Sequence, residues 1–150
     1  TLVGFVTGAA ALNRAPLDAD LFLRKAEMVN DAFDRLSAVY KRARRGEISE
    51  RTAREEQQRL LGAFEAECSA IAPSPLSFNK CLSASNNAGL AFDHTYTKFY
   101  LLIYGVFAGC GKDLRCTLEK ILGAPHKHRE REVAAYFEGL GTSAWRRTLQ

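Results

Sequence analysis

The sequence predicts an all-α protein: an antiparallel helical hairpin packed on a buried aromatic helix, with short C-terminal helices after it. Apolar residues recur at alternating three- and four-residue steps through two long segments. No stretch of convincing length alternates polar and apolar residues as a half-buried strand does. Hydrophobic residues make up 47% of the 150, enough for one helical domain with a packed interior.

The elements follow in order. Thr1 to Leu12, with staggered Leu2, Val3, Phe5 and Val6, reads as part of a packed helix over 1–16. It lacks the leading Lys or Arg of a secretory signal, and with Thr1 first the chain reads as a piece of a longer protein. From Asp18 to about Arg45, the residues Phe22, Ala26, Val29, Phe33, Leu36 and Tyr40 form one stripe. Asp18 or Asp20 is the expected cap. Lys41, Arg42, Arg44 and Arg45 at the exit complement the helix dipole, and Gly46 suits the residue after the C-cap. Ser49 is the N-cap candidate of the second helix, whose buried face is Ala53, Gln57, Leu60, Leu61, Phe64, Cys68 and Ile71. Pro73 and Pro75 end it, which closes the hairpin at 18–72.

Pro73 to about Phe92 reads as a connection rich in turn residues. Over 93–140 the pattern predicts three helices. One, capped by Asp93 or Thr95, runs through Tyr96, Phe99, Tyr100, Ile103, Tyr104 and Phe107. It is apolar nearly all round, which predicts the most buried position. The second spans Asp113 to Leu122 and stops at Gly123 and Pro125. The last spans Arg129 to Leu140, with Val133, Tyr136, Phe137 and Leu140 facing inward.

Composition narrows the function. The formal charge is +4, but 21 basic and 17 acidic residues are interleaved, a pattern of solvated helix faces more than of a nucleic-acid footprint. The longest apolar run, Phe99 to Cys110, is shorter than the ~18 residues that span a bilayer. Cys68, Cys81, Cys110 and Cys116 have no zinc-ribbon or C-x-x-C spacing. They are disulfide candidates, with three connectivities open and buried free thiols as the alternative. His126 and His128 have cationic neighbours and no further ligand at metal spacing, so they read as an exposed helix start.

The sharpest chemical signal is Asn86-Asn87-Ala88-Gly89-Leu90 followed by His94, Thr95 and Tyr96. Adjacent asparagines favour turns and local backbone hydrogen bonds. A histidine or tyrosine at a helix start can donate to an oxyanion developing on a substrate. The plainer reading is a capped interhelical turn with Tyr96 bonded to a nearby carbonyl. No G-x-S-x-G, Cys-His signature, Gly-rich phosphate loop or H-E-x-x-H occurs, so the chain carries no complete catalytic set.

Three segments resemble the C-terminal part of a bacterial family of zinc aminopeptidases. Thr1-Leu2-Val3-Gly4-Phe5 with Gly8-Ala9 resembles the helix after the family's third zinc ligand, in a stretch of the form N-E-x-x-A-x-x-x-G. The charged hairpin from Leu23 to Cys68, with Tyr40 and an Arg-rich turn, is similar to the family's long helical insertion. Asn86 to Leu90, Thr95-Tyr96 and Phe107 through Asp113-Leu114 resemble its N-N-A-x-L … Y … G-D-L ending. Gly89, where the family has a small or basic residue, and the cysteines around Gly111 depart from that pattern.

The resemblance implies a zinc-activated water attacking the peptide bond beside an N-terminal residue, with H-E-x-x-H and a downstream glutamate as ligands and general base. All of these would precede Thr1; zinc belongs to the parent enzyme, and this chain alone would bind none. The implied partners are a peptide substrate and the N-terminal portion of the same protein. By position, Tyr96 would donate to the tetrahedral oxyanion with His94 in reserve, and Asn86 and Asn87 would orient substrate backbone or Tyr96. The resemblance also implies a periplasmic or envelope location, consistent with disulfides, against a cytoplasmic alternative. The rival reading is a non-enzymatic interaction module whose hairpin presents Arg and Glu faces to a protein. A third, a basic binder of anionic surfaces, rests on Lys41 to Arg45 alone.

Overall fold

A computed structural model of the chain describes residues 9–71, 86–125 and 130–140. Those residues form six helices and no strand: α1 (Ala9–Arg44), α2 (Glu50–Ser69), α3 (Asn87–Thr97), α4 (Tyr100–Gly109), α5 (Leu114–Leu122) and α6 (Glu130–Gly139). The all-α prediction holds. The chain divides into two compact units, Thr1–Lys98 and Phe99–Gln150.

In the first unit α1 packs against both α2 and α3. α1 is 36 residues long and starts well before the expected cap. Asp18 lies inside it, accepting from Arg14 Nε at 3.2 Å; a carboxylate four residues after an arginine makes an intrahelical pair as readily as a cap. The helix ends as expected. Gly46 takes φ 73°, its N–H donates to the Ala43 carbonyl at 2.9 Å, and the Glu47 N–H reaches Arg42 at 3.0 Å. This Schellman pattern satisfies two carbonyls of the last turn and needs a left-handed residue, which glycine supplies without strain. Ser49 then caps α2, accepting from the Thr52 N–H at 3.1 Å.

Val29, Ala32, Leu36 and Val39 of α1 bury against Ala53, Leu60 and Phe64 of α2 and Leu90 of α3. The buried stripe of α1 is wider than its sequence pattern, with Ala32 and Val39 added to the expected positions. A helix wedged between two partners must bury more than one face. Half-buried Phe33 and Tyr40 pack on the edge of this cluster.

The second unit is built on α4, which packs against α5 and α6. α4 is more open than its apolar sequence predicts: only Gly105 and Val106 are buried, while Leu101, Leu102, Ile103, Tyr104 and Phe107 are half-buried. Two short helices cannot enclose an all-apolar cylinder, so much of α4 stays partly open. Asp113 caps α5, accepting from the Cys116 N–H at 2.7 Å. Phe137 is the buried anchor of α6, and Tyr136 Oη donates to the Lys120 carbonyl at 2.8 Å.

Candidate functional site

α3 is the element on which the chemical candidates meet, and it begins earlier than the sequence predicts. Asn86, in extended backbone at φ −161°, accepts from the Gly89 N–H at 2.8 Å and is the N-cap. The expected caps Asp93 and Thr95 lie inside the helix. Thr95 Oγ1 donates back to the Ala91 carbonyl at 2.9 Å, and Asp93 is buried. An asparagine pair favours a turn, but one asparagine followed three residues later by a free N–H is equally a helix start.

The inner face of α3 is set by Leu90, Asp93, His94 and Thr97 at helical spacing. Lys25 Nζ donates to Asp93 Oδ1 at 3.1 Å, the two side chains being only 5% and 10% exposed. Asn30 Nδ2 donates to the Thr97 carbonyl at 3.2 Å, and Thr97 Oγ1 donates to Asn30 Oδ1 at 3.0 Å. His94 stacks flat on Phe33, with ring centroids 3.7 Å apart and planes within 3°. At the other end Asn87 Nδ2 donates to Tyr40 Oη at 2.5 Å while Gln57 Nε2 donates to Asn87 Oδ1 at 3.0 Å. Tyr40, Phe33 and Asn30 run down α1 as their partners Asn87, His94 and Thr97 run up α3, so the two helices are antiparallel. Asn87 ties all three helices of the unit together.

The outer face carries Phe92 and Tyr96, each 62% exposed. They are four residues apart and meet edge to face, with centroids 5.2 Å apart. Tyr96 therefore projects outward on a helix whose inner face is pinned by a buried ion pair. It sits in the last turn of α3, not at the mouth of a new helix. About 13 Å of helix separates it from Asn87 at 1.5 Å per residue, so the asparagine pair and the phenol do not converge. The helix terminus beside Tyr96 is the negative end of the dipole, and any oxyanion there must be held by the phenol O–H itself.

The remaining candidates fall as follows. Cys110 and Cys116 are joined in a disulfide across the α4–α5 turn. Cys68 is also disulfide-bonded, and Cys81 lies outside the described residues, as do Thr1 to Gly8, His126 and His128. Of the basic cluster, Arg42 pairs with Glu56 at 3.2 Å and Arg45 with Glu47 at 3.4 Å; these bridges and the dipole account for half of its charge. Among the described residues no group of three His, Cys, Asp or Glu is placed to hold a metal ion. The Lys25–Asp93 and Asn30–Thr97 contacts escaped the sequence reading. Their signal was the Leu90, Asp93, His94 and Thr97 series at three- and four-residue spacing. Among the described residues, burial raises the carboxyl of Glu27 on α1 above its ordinary range, and the Arg24 guanidinium only partly offsets it.

No family model, curated protein or solved structure matches the chain.

Proposed function

We propose that this chain is the C-terminal, cleft-lining helical portion of a zinc-dependent aminopeptidase-like enzyme that hydrolyses N-terminal peptide bonds. In this reading zinc is held by residues preceding Thr1 and supplies the activated water. The present residues hold no catalytic set of their own. Tyr96 is the hydrogen-bond donor to the oxyanion that forms on the scissile carbonyl. The observation that carries the reading is the exposure of Tyr96 on a helix fixed by Lys25–Asp93. That exposure leaves the phenol able to meet a substrate, while the buried ion pair one turn earlier positions its helix. The resemblance of Asn86 to Leu90 and Tyr96 to the N-N-A-x-L … Y pattern supports the same assignment.

In this reading Asn86 and Asn87 have an indirect part. Asn86 caps the helix and Asn87 anchors it to Tyr40 and Gln57, so both orient Tyr96 through the placement of α3. His94, stacked on Phe33, supports the inner face. The disulfides favour a periplasmic or envelope setting.

The test is to express the polypeptide together with its upstream coding region and assay release of N-terminal residues from short peptides. Activity that is lost on chelation and restored by zinc, with an H-E-x-x-H upstream, is the expected result. An upstream region without that motif, or an extended protein inert toward peptides with zinc present, would instead favour the interaction module.

A further inference from the structure

We propose that the outward face of α5 is a self-association surface, occupied by α5 of a second copy of this chain in antiparallel order. α5 has two apolar faces. The inner one, with buried Thr117 and half-buried Ile121, belongs to the core of its own unit. On the other, Leu114, Leu118 and Leu122 are 68%, 56% and 69% exposed. At about 100° per residue these positions drift by only about 40° per step, so they form one stripe about 12 Å long. One flank of the stripe carries Arg115 and Glu119, paired along the helix at 3.3 Å; Lys120 lies further round.

A second copy fits this surface because the stripe is complementary to itself. In a two-fold antiparallel pair centred on Leu118, that residue meets its own equivalent and Leu114 meets Leu122. The same symmetry places like flanks side by side. Arg115 of one copy then lies about 3 Å along the axis from Glu119 of the other, at 1.5 Å per residue. One ion pair within each helix is thus supplemented or replaced by two between helices. A parallel pair puts the charged flanks on opposite sides and gains neither. A helix of nine residues buries well under the ~1,200 Å² of a stable interface. The association is therefore weak and concentration-dependent.

Sedimentation equilibrium of the 150-residue chain tests this. Across roughly 10 μM to 1 mM, the weight-average mass should climb from 16.6 kDa toward twice that value. Leu118→Arg should abolish the rise while leaving far-ultraviolet circular dichroism and Tm unchanged, because the side chain replaced is exposed. Arg115→Glu should weaken association about tenfold, and the reciprocal swap R115E/E119R should restore it. A mass fixed at the monomer value throughout, or association that ignores both Leu118→Arg and Arg115→Glu, overturns the proposal.

Discussion

Asp93 shows what a single residue decides in this molecule. Its carboxylate and the Lys25 ammonium are almost fully withdrawn from water, and their mutual attraction offsets part of the cost of holding each charge there. Replacing Asp93 with Ala takes the carboxylate away from a buried lysine and should destabilise the first unit by about 3–5 kcal/mol. The joint change Lys25→Met with Asp93→Leu should recover most of that loss. Urea unfolding of the three variants checks the ordering. Glu27 gives the pH-dependent counterpart. Its raised carboxyl means the folded state holds a proton that the unfolded chain has already released. Stability from this group therefore falls as pH rises out of the ordinary glutamate range, near ~4.3, through the raised value. Glu27→Gln should raise Tm at pH 7 and leave it unchanged at about pH 3, as thermal melts at the two pH values would show. Neither environment was legible in the sequence. Lys25 and Asp93 lie far apart in the chain, and a charged residue reads as solvent-facing until its partner is known.

At the scale of elements, most boundaries were legible because their signals are local. Gly46, Ser49 and Asp113 each stand where the cap chemistry requires them. α3 was misplaced because its N-cap asparagine also reads as a turn residue, and its apolar content is too low to announce a helix. α1 was underestimated since an acid early in a helix resembles its cap. The α4–α5 turn offers a direct check on cap energetics. Gly111 and Lys112 both adopt positive φ, 65° and 63°, and the Lys112 N–H closes the turn on the Phe107 carbonyl at 2.9 Å. A lysine in the left-handed region costs roughly 1 kcal/mol that glycine avoids. Lys112→Gly should accordingly raise the denaturation midpoint of the disulfide-intact protein by a comparable free energy, measured by guanidinium titration.

The whole molecule separates into a unit organised by α1 and a smaller one organised by α4, and none of the described helices is long and apolar enough to cross a membrane. Fold class was readable from periodicity alone. The candidate site was readable only in part: Tyr96 was singled out by residue type, while the Phe92 support behind it depends on α3 starting early enough to contain both rings, and the ion pair beneath it depends on tertiary placement. The functional proposal needs both, a phenol presented to solvent and a helix that holds it in position. It is tested most directly by the kinetics of Tyr96→Phe in the zinc-loaded protein that includes the upstream region. Loss of one oxyanion donor predicts a kcat about 10²-fold lower, with KM, Tm and helix content unchanged. A kcat equal to that of the parent protein would remove Tyr96 from the chemistry and contradict the assignment.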